Sequence, residues 1–335
     1  FFETKNFIFY EDNFLLGKSN MLCDEFDVLL FARRNIETAK IPSFVKEISS
    51  FAFQSCNKLK SVEFSDDSEL ELIGKGAFYG SSIENILIPK KVTHISTFAF
   101  SQCRKLKTFL FAENSQLKSI EKTTFSYSSI EKITIPSDVV FIGKNAFYNC
   151  KNLREIDFIE KSNLKSIGNN AFSKSMIESF TFPSSIEEFK EDWCFDLLNL
   201  NLIKIQSNEK QNISLYNNDF IIGKTDQKSD IFDVLIFARR DIEIAIVPYF
   251  ITKIAQNVFQ NCNKLKTVEF ANDSKLKSIE KYSFSNTSIE NIVIPNNVEF
   301  IDKFAFCYSK IKKIEFSQSS KLKGISEEAF SNSLI

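Results

Sequence analysis

The residues of this sequence that could perform chemistry are few: seven cysteines, one histidine and two pairs of adjacent arginines. Cysteine and histidine bind zinc, and a histidine beside a cysteine or serine can activate a nucleophile. No Cys-x-x-Cys pair occurs, His94 is the only histidine, and no glycine-rich phosphate loop is present. The sequence therefore predicts no catalytic residue, no metal site and no cofactor, and it indicates that the protein is not an enzyme.

Four of the cysteines recur three residues after a phenylalanine, and the intervening segments carry serine or threonine at the same place. If consecutive segments form neighbouring strands, equivalent cysteines lie about 10 Å apart, beyond the Cα separation of roughly 7 Å that a disulfide allows. We therefore predict no disulfides, and a ladder of small buried side chains that hydrogen-bond the backbone. The four recurring cysteines are Cys56, Cys103, Cys150 and Cys262. The sequence shows no partner for Cys23, Cys194 or Cys307.

The arginine pairs lie in two nearly identical segments, FDVLLFARRNIE at Phe26–Glu37 and FDVLIFARRDIE at Phe232–Glu243, offset by 206 residues. The arginines could neutralise nearby acids such as Asp27 and Asp233, or cover backbone carbonyls. They could instead form a basic contact site, repeated along the edge of the fold. Both roles stay open from the sequence alone. The candidate edge contacts are Arg33, Arg34, Arg239 and Arg240.

Each arginine segment follows a pattern of strand, turn and strand. In YNNDFIIGK, the residues Asn217–Asp219 are typical of a turn between two apolar runs. The sequence thus predicts a hairpin-like insertion ahead of each arginine pair.

The rest of the chain is an internal repeat. Proline recurs after Ile, Val or Phe in steps of 47 residues, with one step of 65, and each period divides into halves of 23 or 24 residues. Segments such as LKSVEF alternate apolar and polar residues, which is the signature of a half-buried strand. A single repeat cannot bury its own apolar face, so neighbouring repeats must stack. Twelve such segments begin at Ile36, Leu59, Ile83, Leu106, Ile130, Leu153, Ile177, Leu200, Ile242, Leu265, Ile289 and Ile311.

One phenylalanine per half-repeat follows a small residue at a fixed place. Because an inward-facing column of rings buries about 150–250 Å² per ring, we predict that these side chains form the core. The column consists of Phe53, Phe78, Phe100, Phe125, Phe147, Phe172, Phe259, Phe284, Phe306 and Phe330. The EDWCF stretch keeps the register with Trp193 and Cys194 in place of Ala and Phe, which predicts a local change of core packing.

The segments FAFQSCNKLKSVEF, FAFSQCRKLKTFLF, NAFYNCKNLREIDF and NVFQNCNKLKTVEF resemble the BspA-like leucine-rich repeats of bacterial and protist proteins. The resemblance covers the chain apart from 1–35 and 207–241. It implies an α/β-type solenoid, mostly β, that winds as a right-handed superhelix with one parallel sheet of about 12 short strands, interrupted by the hairpin-like insertions. We expect one continuous solenoid with two super-modules, 1–206 (insertion 1–35, regular repeats 36–206) and 207–335 (insertion 207–241, regular repeats 242–335).

The resemblance also implies secreted or surface-displayed proteins that mediate adhesion. Lys and Arg number 42 against 43 Asp and Glu, which argues against nucleic acid as a partner, and no run of 18 apolar residues predicts membrane insertion. Our first hypothesis is a non-catalytic module that binds a protein or glycan, at the cell surface or secreted. The alternative is an intracellular scaffold attached to a cytoskeletal or other large assembly. Since neither end carries a polar capping repeat, we expect the native chain to continue in both directions.

The binding surface is predicted from strand alternation, because residues between the buried positions face outward. We expect an extended concave surface. Its principal row is Glu63, Leu87, Leu110, Thr134, Asp157, Thr181, Lys204, Glu269, Val293 and Glu315. The neighbouring row is Ser61, Asn85, Thr108, Lys132, Glu155, Ser179, Thr267, Asn291 and Lys313. The sequence leaves open whether the sequon residues Asn212 and Asn286 are glycosylated.

Overall fold

The structure is a computed structural model that describes residues 6–20, 22, 24–190, 192–206, 212–226 and 228–335. The chain divides into two compact units. Unit 1 comprises Phe1–Met176 and Glu188–Trp193, and unit 2 comprises Ile177–Glu187 and Cys194–Ile335.

All regular elements in the described residues are β-strands, and no helix occurs among them. The first fifteen are β1 (Phe7–Tyr10), β2 (Phe14–Gly17), β3 (Val28–Ala32), β4 (Thr38–Lys40), β5 (Glu47–Ile48), β6 (Ser61–Glu63), β7 (Leu72–Ile73), β8 (Asn85–Ile88), β9 (His94–Ile95), β10 (Thr108–Phe111), β11 (Ser119–Ile120), β12 (Lys132–Ile135), β13 (Phe141–Ile142), β14 (Glu155–Phe158) and β15 (Ser166–Ile167). The remainder are β16 (Ser179–Pro183), β17 (Glu188–Phe189), β18 (Leu202–Gln206), β19 (Ile213–Tyr216), β20 (Phe220–Gly223), β21 (Val234–Ala238), β22 (Ile244–Val247), β23 (Lys253–Ile254), β24 (Thr267–Phe270), β25 (Ser278–Ile279), β26 (Asn291–Ile294), β27 (Phe300–Ile301), β28 (Lys313–Phe316) and β29 (Gly324–Ile325).

The twelve predicted strand segments are confirmed as β4, β6, β8, β10, β12, β14, β16, β18, β22, β24, β26 and β28, each beginning two residues after the apolar residue that marks its segment. In unit 1, β4, β6, β8, β10, β12 and β14 hydrogen-bond in that order, in parallel. In unit 2, β16 pairs with β18, β22 with β24, and β26 with β28. The predicted solenoid of stacked parallel strands is thus present in each unit.

A second parallel sheet runs through each unit and was not predicted. Its strands are only two residues long, too short for an alternating pattern to be visible in the sequence. In unit 1 it orders β1-β2-β3-β5-β7-β9-β11-β13-β15-β17, and in unit 2 β19-β20-β21-β23-β25-β27-β29. Turns connect the strands in the described residues, so the predicted fold, mostly β, contains no helix there.

The two hairpin-like insertions start this second sheet in each unit. In unit 2, β19 pairs antiparallel with β20 and β20 with β21, after which β21 continues in parallel with β23. The turn predicted at Asn217–Asp219 is confirmed, with Asn217 and Asn218 at φ of 50° and 60°. Asparagine tolerates this left-handed conformation better than most residues.

The predicted phenylalanine column forms the core of each unit. The rings stack nearly parallel at centroid separations of 4.8–5.8 Å from Phe53 to Phe172. From Phe259 to Phe330 they stack at 4.9–5.2 Å. Trp193 and Cys194 are also buried, as predicted, and Trp193 packs against Phe189 at 4.7 Å.

The predicted ladder of small polar side chains is confirmed beside that column. Cys103 donates from Sγ to the carbonyl of Phe78 at 3.0 Å, and Cys150 donates in the same way to Phe125. In an intervening half-repeat, the hydroxyl of Ser175 reaches the carbonyl of its own turn. None of the six cysteines among the described residues forms a disulfide, and Cys23 lies outside them.

Candidate binding surface

The candidate surface is the outward side of the long strands, here called the strand face. Each long strand buries one residue and exposes its neighbours, as in β8, where Ile86 is buried between exposed Asn85 and Leu87. Parallel pairing without slippage then aligns equivalent residues of successive repeats. In unit 1 the strand face carries Glu63, Leu87, Leu110, Thr134 and Asp157, with Ser61, Asn85, Thr108, Lys132 and Glu155 beside them.

Two leucines form the apolar part of the strand face in unit 1. Leu87 and Leu110 are direct register partners on β8 and β10, and their side chains are 53% and 54% exposed. Register partners in a sheet have Cβ atoms about 5 Å apart. The two leucines therefore present one continuous apolar patch.

The charges beside the leucines largely neutralise one another. Lys132 lies 3.0 Å from Glu155 and 3.1 Å from Asp157, and these two hydrogen bonds raise the pKa of Lys132. Lys40 lies 3.8 Å from Glu63. Since no single charge sign prevails, this surface does not have the character of a phosphate-binding site.

A groove of about 480 Å³ borders the leucine patch. It opens beside Glu63, Asn85 and Leu87, three residues of the predicted rows. Its walls combine apolar and charged side chains, and the other lining residues are Val62, Phe64, Ser65, Asp66, Ser68, Pro89, Lys90, Ala112 and Glu113. The strand face thus joins an exposed apolar patch to a mixed, partly acidic depression.

In unit 2 the strand face consists of separate strand pairs. Thr181 pairs with Lys204, and Ser179 with Leu202. The remaining predicted residues are Thr267 and Glu269 on β24, Asn291 and Val293 on β26, and Lys313 and Glu315 on β28.

Residues of the strand face were also missed. Ile244 and Ile246 on β22 pair with Thr267 and Glu269 and are 55% and 61% exposed. Lys40 on β4 pairs with Glu63. Their segments, IETAK and IEIAI, carry the same strand pattern as the others, so the register could have been extended to them from the sequence.

The arginine pairs occupy different environments. Arg33 and Arg34 are exposed, Arg239 is half-buried and Arg240 is only 4% exposed. Arg239 binds Asp241 at 2.8 Å and Asp219 at 3.4 Å.

Arg34 and Arg240 cover backbone carbonyls, one of the two structural roles considered for them. Arg34 donates to Ala52 O at 2.9 Å, and Arg240 donates to Val258 O at 2.6 Å.

Pairing of the arginines with Asp27 and Asp233 was the other structural role considered, and these carboxylates bind other groups. Asp27 accepts hydrogen bonds from the backbone N–H and hydroxyl of Ser19, at 2.8 and 2.7 Å. Asp233 does the same for Thr225. Burial disfavours the charge of Asp27, but these hydrogen bonds outweigh it, so its pKa lies below the ordinary value. Each carboxylate therefore fixes the loop that precedes its strand.

The remaining polar candidates do not converge. His94 is exposed, and its Nδ1 lies 2.8 Å from the hydroxyl of Thr93. In the described part of the chain, no group of three or more His, Cys, Asp or Glu side chains is arranged to hold a metal ion. Asn286 is exposed and donates to Asn261 at 2.8 Å, whereas Asn212 is half-buried.

Among the described residues, we find no helical segment with the length and hydropathy of a membrane span.

Comparison with protein families identifies the repeat. The family described as "BspA type Leucine rich repeat region" matches residues 25–153, 118–220 and 233–335, with six copies of the repeat. A comparison with curated protein sequences found no significant match.

Several solved structures have the same fold. The pneumococcal vaccine antigen PcpA is 17% identical, with a TM-score of 0.67 over 99% of this chain and 88% of that one. A leucine-rich cell surface protein from Faecalibacterium prausnitzii is 19% identical, with a TM-score of 0.58 over 95% and 96%. A leucine-rich repeat protein from Bacteroides ovatus is 23% identical, with a TM-score of 0.62 over 97% and 82%.

Proposed function

Because the chain belongs to the BspA-type leucine-rich repeat family, we propose that it is a non-catalytic module that binds a protein through the strand face. The single observation that carries the proposal is the aligned pair Leu87 and Leu110, each more than half exposed on a regular, rigid sheet. Monomeric proteins expose single apolar residues routinely, whereas an ordered apolar patch with a polar rim is typical of interaction sites.

A protein fits this surface better than a glycan. Sugar sites commonly stack a ring on an exposed aromatic side chain, whereas the two predicted rows contain aliphatic, polar and charged residues and no aromatic one. The groove beside Leu87 adds Glu63, Asp66 and Glu113, which would complement a basic side chain of the partner. Binding of a glycan through the same face is the alternative outcome of the test below.

The partner is proposed to meet the protein outside the cell. Two of the structurally similar proteins are a vaccine antigen and a cell surface protein, which supports a surface or secreted location and a role in adhesion. Biotinylation of intact cells tests the location, with labelled protein expected. Protein that is protected from surface protease and retained with the detergent-insoluble skeleton would instead support the intracellular scaffold.

The binding test uses the purified protein against arrays of matrix proteins, cell-surface proteins and glycans. For the protein partner that binds, Leu87→Asp combined with Leu110→Asp should lower affinity at least tenfold. Burying the exposed half of each leucine contributes about 1 kcal/mol, and a desolvated charge adds a penalty of its own. The matched control is Ile159→Asp, a residue of unit 1 that is 45% exposed and lies outside the two rows.

Two outcomes would oppose the proposal. Binding that survives the double variant while Ile159→Asp weakens it would move the site off the strand face. Binding to glycans alone would replace the proposed partner class.

The edge contacts at the arginine pairs remain a separate proposal. Charge reversal at Arg33, which is exposed, should weaken partner binding if the edge participates. Arg240 is unsuitable for that test, since its burial means that reversal would disturb folding.

A further inference from the structure

The two arginine-bearing hairpins are internal duplicates, so each residue of the first has a counterpart 206 positions later. Their internal geometry is the same. Arg34 donates to Ala52 O at 2.9 Å, and its counterpart Arg240 donates to Val258 O, the counterpart of Ala52 O, at 2.6 Å. Both copies therefore hold the arginine ready in one orientation.

The second copy is covered and the first is exposed. Phe31 is 42% exposed, whereas its counterpart Phe237 is fully buried. Phe7 is 44% exposed, whereas its counterpart Ile213 is only 2% exposed. Each arginine lies over its ring, Arg34 at 4.3 Å from the centroid of Phe31 and Arg240 at 4.2 Å from that of Phe237. The face formed by Phe7, Phe31 and Arg34, here called the arginine face, is thus a built surface that differs from its duplicate in what lies on it.

In unit 2 a repeat coil lies on the corresponding face. Arg240 donates from Nε to Leu197 O at 2.9 Å and from its backbone N–H to Leu200 O at 3.3 Å. The backbone N–H of Asn212 reaches Ser184 O at 3.2 Å. Among the described residues, Arg34 Nε has no such acceptor. The contacts missing from the first copy are therefore those made by this coil.

The covering coil is adapted to the arginine. Cys194 stands 22 residues after Phe172, at the place where a phenylalanine would continue the core column. Its Sγ lies 3.8 Å from Nη2 of Arg240. A phenylalanine there would occupy the space that the guanidinium fills, so the substitution in EDWCF and the arginine pair form one joint.

We propose that the arginine face is a docking site for a leucine-rich-repeat coil of the same construction as residues 177–206, with a small side chain at the place of Cys194. The occupant offers a backbone carbonyl to Arg34 and apolar cover to Phe31 and Phe7. This interaction is independent of the strand face and of the proposed binding function.

The test supplies the coil covalently. In a variant chain, a copy of residues 130–206 precedes residue 1, which restores the spacing of the second copy because the offset is 206 residues. Phe31→Cys then reports cover through its rate of alkylation, measured by mass spectrometry. The extended chain should label Phe31→Cys at least tenfold more slowly than the original chain. Phe44→Cys, a site 44% exposed in both chains, is the control and should label at one rate.

A second extended chain carries phenylalanine at the grafted counterpart of Cys194 and should leave Phe31→Cys reactive. Equal labelling of Phe31→Cys in the original and extended chains would overturn the proposal. Protection that appears in the original chain and grows with its concentration would also overturn it, because the occupant would then be a second molecule.

The joint can be tested without a graft. In the original chain, Arg240→Ala should speed alkylation of Phe237→Cys at least tenfold, since the guanidinium bonds that hold the coil are lost. An unchanged rate would remove the arginine from the proposed interaction even if the extended chain failed to fold.

Discussion

Replacement of Phe125 by alanine should be among the most destabilising changes in unit 1. The ring is fully buried and stacks between Phe100 at 5.8 Å and Phe147 at 5.1 Å. It also meets Phe109 edge-on at 4.7 Å. A buried Phe→Ala substitution costs about 3–5 kcal/mol, and ring pairs add roughly 0.5–1.5 kcal/mol each. Because three ring contacts are lost, we expect a loss of about 5 kcal/mol.

The assay is equilibrium unfolding in urea, followed by far-ultraviolet circular dichroism. Phe141→Ala is the matched control, because Phe141 belongs to the neighbouring repeat but is 38% exposed. It should cost about 1 kcal/mol or less. Phe125→Leu should fall between the two, since it retains part of the buried volume. Equal losses for Phe125→Ala and Phe141→Ala would refute the conclusion that the ring column carries the stability of the coil.

Three further predictions concern single residues. Burial raises the pKa of Cys103 to about 12, whereas an unfolded thiol ionises near 9; stability is therefore complete below pH 9 and falls above it, by about 2 kcal/mol at pH 10.5, a slope that Cys103→Ser should reduce in urea titrations against pH. Burial opposes the charge of Asp233, but hydrogen bonds from Thr225 outweigh it and lower its pKa; stability is complete above the ordinary pKa near 4 and falls as pH drops towards the folded value, and an acid titration should show a shallower fall for Asp233→Asn. Asn218 has a φ of 60°, so Asn218→Val should lower the unfolding free energy by about 1–2 kcal/mol in urea, whereas Asn218→Gly should not.

Much of the fold followed from the repeat in the sequence. The strand from Asn85 to Ile88 alternates exposed and buried residues because side chains of a strand point to opposite sides. That local rule located all twelve long strands, and the recurrence of phenylalanine located the core. The same periodicity assigned Leu87 and Leu110 to one row before their register was known.

Tertiary structure decided what local patterns could not express. The second sheet consists of two-residue strands such as Leu72–Ile73, which leave no periodic signal and depend on pairing between repeats. The roles of the arginine pairs were likewise undetermined. Arg34 and Arg240 lie in almost the same local sequence, yet one is exposed and the other is buried against Leu197, 43 residues earlier in the chain. Sequence alone determined the period and the inward residues, because these depend on backbone geometry within one repeat. Which faces are covered depends on contacts between repeats distant in the chain, and only the tertiary structure supplies those.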